Sequence, residues 1–347
     1  MAGVTAVLVI GLLVTLVPAQ NIGDKCRLSN ELPGRCDRVH KCPSAMKHWQ
    51  KGGDLPDICG FKGNEVIVCC PQYEKTKIQK SVQKCKEYSK VVSRIRDKRH
   101  IAGGSPALPQ EFSHMAALGY DDGESVIWNC GGILISEQYV LTAAHCLKSR
   151  EYGSVLFVRL GDLDLDSEHD NAMPQDFKVV ERISHPEHKL SSKYNDIALL
   201  KLDHKAQFTR FVHPACLYTE HAIQADKVTA IGWGPSQFGE DQSNSLMKVD
   251  LDLFDDGECK FKYGTARTLR VGILSDSQIC AGGRDDVRDT CKGDSGGPLL
   301  IPTEFHSALH YVVGVTSFGK PCGNPNTPGV YTRVSHYIPW IESIVWP

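Results

Sequence analysis

From residue 101 to the C-terminus, apolar residues come in short runs broken by Gly, Pro, Asn and Asp. Examples are Gly131–Ser136, Val155–Leu160, Phe177–Ile183, Ile197–Leu202, Lys227–Ile231 and Tyr311–Phe318. Regular short strands of this kind predict an all-β sandwich or barrel. Only the tail, Val334–Val345, spaces its apolar residues at helical intervals, so a C-terminal helix is expected there. The other end of the chain is different. Val4–Val17 carries no charge and is followed by Val-Pro-Ala. A membrane span needs about 20 apolar residues, so this stretch is short for one. It suits a signal peptide over residues 1–19, cut after Ala19, which predicts a secreted, extracellular protein with no membrane span. An N-terminal anchor is the competing reading, weakened because no basic cluster follows directly.

All fourteen cysteines lie beyond this segment. An even number in an exported chain points to complete disulfide pairing. Zinc would prefer short Cys and His spacings, which are missing. Six cysteines, Cys26, Cys36, Cys42, Cys59, Cys69 and Cys70, crowd residues 26–70. A module of that length buries too little core to stand without staples. Adjacent Cys69 and Cys70 project to opposite sides of a strand, so one strand can be tied to two neighbours. Six cysteines allow fifteen pairings, and spacing alone does not choose among them. Residues 71–100 carry ten Lys or Arg against three acids, with few large apolar residues and one cysteine, Cys85. They read as a solvated basic linker, with a patch for anionic partners as the second reading. Over the whole chain the formal charge is only -2, which argues against a general nucleic-acid or anionic-membrane binder.

Chemistry concentrates in three motifs, in the order His, Asp, Ser. They are LTAAHC (141–146), YNDIALLKL (194–202) and CKGDSGGPL (291–299). A serine hydroxyl is a weak nucleophile and needs an adjacent base. His145 is suited to take the Ser295 proton and return it to a leaving amine. Asp196 is suited to fix the imidazole tautomer and stabilise the imidazolium. Glycines around Ser295 let a substrate carbonyl approach the backbone. The N–H groups of Gly293 and Ser295 can then form an oxyanion hole, worth roughly 2.7–4 kcal/mol per donor.

On these motifs the chain resembles the chymotrypsin (S1) family of serine proteases over Ile101–Pro347. The resemblance implies a trypsin-like double β-barrel with the site in the cleft between barrels. It also implies the pairs Cys130–Cys146, Cys259–Cys280 and Cys291–Cys322, and a bond from Cys216 to Cys85 that holds the N-terminal part on. The residue six before the nucleophile, Asp289, matches the base of the S1 pocket. A buried carboxylate there needs a cationic partner, so cleavage after Arg or Lys is implied. Gly319 and Gly329 match the pocket walls, and Ser317 the strand that holds the substrate backbone. Phe318 stands where many relatives carry Trp. The acid-rich run at residues 159–171 sits where some relatives bind calcium. Asp162, Asp164 and Asp170 are candidate ligands. A solvated acidic loop is the equal alternative, and no cofactor is required.

Family members become active when a new N-terminus inserts beside the acid preceding the nucleophile, here Asp294. The matching terminus is Ile101. Most such zymogens have Arg or Lys before it, whereas this chain has His100. A cut after Arg99 would leave the α-amino group one residue, about 3.3–3.6 Å, out of place. Activation is therefore expected between His100 and Ile101. The six-cysteine module resembles the clip domain of arthropod proteases, a small disulfide-rich domain. That resemblance implies Cys26–Cys69, Cys36–Cys59 and Cys42–Cys70. The non-basic cleavage residue resembles the Persephone and Snake group. The expected function is an extracellular immune-cascade protease, in Toll signalling or prophenoloxidase-driven melanisation. Its expected partners are an upstream activating protease, a downstream protein precursor and a serpin inhibitor in haemolymph. The alternatives are a venom or clotting protease, or a regulatory clip protein with little catalytic role. Ser295 argues against the last.

Overall fold

The computed structural model describes residues 21–28, 33–42, 57–63, 65–71, 79–95, 107, 110–167, 169–234, 243–284, 294–319 and 327–347. They belong to two compact units, residues 1–78 and 79–347. In the first, four antiparallel strands lie in the order Lys25–Arg27, Pro33–Arg38, Glu65–Pro71, Ile58–Lys62. Cys26–Cys69, Cys36–Cys59 and Cys42–Cys70 are all bonded, the three pairs that the resemblance implied. Cys69 and Cys70 do leave their strand on opposite sides, but neither reaches a neighbouring strand. Cys69 meets Cys26 one strand further out, and Cys70 meets Cys42 just after the 3-10 turn Val39–Lys41. The buried cysteines, with Ile67 and Val68, supply most of the little core there is. That is the expected burden on disulfides in so short a module.

The second unit holds two closed six-stranded barrels. The first closes in the order Phe157–Leu160, Gln175–Ser184, Ala198–Leu202, Tyr139–Thr142, Val126–Leu134, Met115–Asp121. The second runs His310–Phe318, Pro298–Pro302, Lys227–Gly232, Met247–Leu253, Gln278–Gly282, Gly329–Arg333, and the last strand pairs back on the first. Strand alternation puts Val158 and Leu160 fully inside, with Phe157 and Arg159 only half-buried between them. Leu118, Ile133, Leu141 and Leu199 are likewise fully buried. The expected all-β architecture is therefore present. At the C-terminus the helical tail divides into a 3-10 turn, Val334–Tyr337, and a helix, Ile338–Val345. Pro339 lies at the helix start, where its missing N–H costs no hydrogen bond.

Two helices were not expected. Helix α1, Lys80–Ile95, lies in the segment read above as a solvated linker, and that reading is corrected for these residues. Its buried face is Ser81, Cys85, Tyr88 and Val92, spaced as one side of a helix. Cys85 is bonded to Cys216, as the resemblance implied. The Tyr88 ring stands edge-on to Phe208 at 5.9 Å. Helix α1 begins against the C-terminal helix (α3, Ile338–Val345), where the Ser81 N–H and hydroxyl both donate to Glu342 Oε1, at 2.9 and 2.6 Å. Lys80 donates to the Trp346 carbonyl. Helix α2, Asp256–Tyr263, starts with a reciprocal cap between Asp255 and Glu258. No helix among the described residues is long and apolar enough to cross a membrane.

Candidate active site

Strand pairing in the first barrel brings two of the three motifs together. Ala198 pairs with Thr142. His145 follows Thr142 by three residues, in the 3-10 turn Ala144–Leu147, and Asp196 precedes Ala198 by two. Cys146 pins this turn to Cys130 on the neighbouring strand Val126–Leu134. Asp196 then accepts twice from His145: at Oδ1 from the backbone N–H (3.0 Å) and at Oδ2 from Nδ1 (2.8 Å). An ionised Asp196 fixes the proton on Nδ1 and leaves Nε2 as the basic nitrogen. Burial pushes the Asp196 carboxyl up, but the His145 charge and the hydrogen bonds from His145 and Ser317 outweigh it and hold its pKa at about 2.

The second barrel completes the acid's surroundings. Strand register slips between Thr316 and Phe318, and the bulge falls on Ser317. Bulges re-aim side chains, and here the Ser317 hydroxyl donates to Asp196 Oδ2 at 2.5 Å. Ser317 was expected to serve substrate through its backbone. Its buried side chain has this further partner. Two more residues, which sequence reasoning missed, hold the acid's backbone. The Thr332 hydroxyl donates to the Asp196 carbonyl at 2.8 Å, and the Tyr337 hydroxyl to Asn195 Oδ1 at 2.9 Å. Asn195 has φ 54°, a conformation uncommon outside glycine but favoured by asparagine. A tyrosine fixing that side chain helps to keep Asp196 aimed at His145.

Ser295 lies in the turn from Asp294 to Gly297, closed by the Gly297 N–H on the Asp294 carbonyl at 2.9 Å. The Ser295 carbonyl accepts from Gly131 N–H at 2.8 Å, so the turn that carries Ser295 is tied to the first barrel. Gly296 has φ 78°, and a Cβ there would meet Thr142 Oγ1 at 2.2 Å and the Gly131 carbonyl at 2.5 Å. Its glycine is required by close approach of the first barrel, rather than by the substrate carbonyl alone. Asp294 turns its carboxylate into the second barrel, where Oδ1 accepts from Gly234 N–H at 2.9 Å. Side chains at Gly232 or Gly234 would collide with that carboxylate. Gly319 and Gly329 lie beside each other, with 3.8 Å from an added Gly319 Cβ to the Gly329 Cα. Of the other expected features, Cys259–Cys280 is bonded. Asp289, Gly293, Cys291–Cys322, His100 and Ile101 lie outside the described residues.

The acid-rich loop is organised around its own donors. Asp162 Oδ2 accepts from Arg159, and Oδ1 from Leu163 N–H. Asp170 Oδ2 accepts from the N–H groups of Leu163 and Asp164. Asp164 takes Asp166 N–H and the Ser245 hydroxyl. Burial raises the Asp162 pKa to about 6, against the lowering effect of Arg159. A calcium site wants six to eight oxygen ligands. Here all three carboxylates accept from N–H or O–H donors, Asp162 from a guanidinium. Among the described residues the clusters spaced for a metal consist of disulfide-bonded cysteines, with His145 in one of them.

Comparison with known proteins agrees with this geometry. The family model named Trypsin matches residues 101–341. The chain belongs to the trypsin family. Along the rest of its length it is similar to clip-domain members of that family. It is 38% identical to serine protease snk of Drosophila melanogaster over 347 residues, covering 93% of this chain and 79% of that one. CLIP domain-containing serine protease B4 of Anopheles gambiae is 32% identical over 355 residues, 95% of this chain and 94% of that one. Phenoloxidase-activating factor 3 of Holotrichia diomphalia is 32% identical over 344 residues, 93% and 94% of the two chains. The protein is thus a clip-domain trypsin-family member and a serine endopeptidase.

Proposed function

We propose that this trypsin-family chain is a secreted zymogen whose Ser295, once switched on, cuts polypeptides after Arg or Lys in an extracellular immune cascade. The observation that carries the catalytic part is the convergence on Asp196, where His145 and Ser317, from different barrels, meet one buried carboxylate. In the first step Ser295 Oγ bonds to the scissile carbonyl carbon, whose π electrons move onto oxygen, and His145 Nε2 takes the hydroxyl proton. The N–H groups of Gly293 and Ser295 stabilise the oxyanion. When the C–N bond breaks, the same proton leaves on the amine. Water then repeats the sequence against the acyl-enzyme and releases Ser295.

Specificity rests on Asp289, six residues before the nucleophile, and on small Gly319 and Gly329 at the slot walls. Asp289→Ser in the activated enzyme is expected to remove most of the preference for Arg over neutral P1 residues. Peptide amides that differ only at P1 measure it, and an unchanged Arg preference would refute the assignment. Control rests on the terminus. Asp294 is the acid that the Ile101 ammonium would meet, and a chain cut after Arg99 would carry its α-amino group one residue out of place, on His100. Active material is therefore expected to begin at Ile101, which N-terminal sequencing reads directly. A terminus at His100 in fully active enzyme would contradict this. The cascade assignment is supported by the phenoloxidase-activating relative and by the non-basic His100, which resembles the Persephone and Snake group. The expected targets are a downstream zymogen or a cytokine or prophenoloxidase precursor, under control of a serpin.

A further inference from the structure

Helix α1, Lys80–Ile95, turns a line of positive charge away from the protein. Its buried side is Ser81, Cys85, Tyr88 and Val92. At about 100° per residue, Lys86, Lys90 and Arg94 fall on the opposite side, and all three are exposed. Each is four residues from the next, so the charges line up along about 12 Å of helix. The other cations of the helix have partners. Lys84 pairs with Glu87 at 2.7 Å, and Lys80 donates to the Trp346 carbonyl. Among the described residues no carboxylate lies within 4.0 Å of the Lys86, Lys90 or Arg94 charge. Like charges four apart weaken a helix, so this row is opposed by the stability of the helix that carries it. The chain as a whole is at -2, which makes the positive charge a local feature.

The row is rigidly mounted. Cys85 is bonded to Cys216, the Tyr88 ring stands edge-on to Phe208, and Ser81 donates twice to Glu342 Oε1. A backbone already fixed gives up little freedom on binding. The outer face is Gln83, Lys86, Glu87, Lys90, Ser93 and Arg94, with no apolar residue. That composition selects among anionic partners. A membrane-surface helix needs its apolar face toward lipid, and here the apolar face is taken by the protein. A protein partner wants an apolar or aromatic anchor. Single-stranded nucleic acid wants stacking rings. The face instead matches a linear polymer with repeated, permanently ionised groups and little apolar surface.

We infer that Lys86, Lys90 and Arg94 form a docking stripe for a sulfated polysaccharide of the extracellular space. The inference takes only the extracellular setting from the proposed function, and it can fail without touching the catalytic reading. Because Cys85–Cys216 ties the helix to the catalytic unit, a chain cut at Ile101 would stay on the polymer.

The probe is heparin, titrated against the uncleaved full chain at several salt concentrations. One variant combines Lys86→Gln, Lys90→Gln and Arg94→Gln. A second removes three exposed cations elsewhere, with Lys178→Gln, Lys189→Gln and Lys260→Gln. At low salt the parent is expected to bind, the stripe variant about tenfold more weakly, and the second variant within about twofold of the parent. The slope of log affinity against log salt should fall by about one for each stripe cation removed. Lys86→Arg with Lys90→Arg should bind as the parent does, and desulfated heparin should not compete. Arg-peptide cleavage by the activated stripe variant should match the parent, which separates lost binding from lost folding. No heparin binding by the parent, equal weakening in the two Gln variants, or undiminished binding in the stripe variant overturns the inference. Capture by phosphatidylserine vesicles but not by heparin would make the stripe a lipid contact, and overturns it as well.

Discussion

Ser295→Ala in the activated enzyme is expected to lower kcat by about a millionfold, with little change in substrate affinity or folding. The hydroxyl forms the only bond to carbon in the first step of the proposed mechanism. The expected consequence for His145 is sharper than the single number. Because base and nucleophile act as a unit, His145→Ala should cost about as much as Ser295→Ala. The double substitution should cost little more than either. Additive losses would mean that the two side chains act separately, which contradicts proton transfer from one to the other. The residual rate of the double variant reports what the oxyanion donors and substrate binding contribute by themselves. Burst-phase kinetics on an activated ester should disappear with Ser295 and remain, slowed, in variants outside the triad.

The second large effect belongs to Asp196. Asp196→Asn keeps the volume of a side chain that is only 2% exposed, but it reverses the proton logic. An amide can donate to Nδ1, and the histidine would then carry its proton on Nε2, the nitrogen that must be basic. A loss of about ten-thousandfold in kcat is expected at neutral pH. The same exchange should alter acid stability in a definite direction. The native carboxyl titrates at about 2, against 3.8 for an ordinary aspartate. A depressed acid pKa contributes stability above 3.8, and that contribution is lost as pH falls from 3.8 through about 2. Acid unfolding of the parent should therefore be steeper across that window than that of Asp196→Asn. Equal slopes would show that Asp196 gains no such support from His145 and Ser317.

The candidate triad motifs are local: each of the three proposed catalytic side chains lies within a run of residues that also builds its turn. His145, Asp196 and Ser295 could be named from those runs before any fold was known, and the resemblance carried the disulfide pairings. The supports could not be named in the same way. Ser317 lies 121 residues from Asp196, and Tyr337 lies 142 from Asn195. No local pattern marks a serine turned inward by a bulge, or a tyrosine whose hydroxyl reaches an asparagine in another element. The positive φ at Asn195, which marks a constrained loop, shows only in the folded chain. Gly296 was legible as a glycine, but its main reason, contact with Thr142 and Gly131, is tertiary.

Helix α1 was missed for a different reason. Its buried face is Ser81, Cys85, Tyr88 and Val92, so the period was present while the residues read as polar or small. The numerous lysines on its other faces dominated the composition. A disulfide and a cap from Glu342 replace much of the apolar area that such a helix would otherwise need.

The proposed function turns on one side chain, Ser295, and on the cleavage proposed to switch it on. The most direct measurement is fluorophosphonate labelling of the full-length chain before and after cleavage at Ile101, with the modified residue located by peptide mass mapping. The expected result is a single adduct on Ser295, formed rapidly only after cleavage and abolished by His145→Ala. Equal labelling of the intact chain, an adduct on another residue, or rapid labelling without His145 would contradict it.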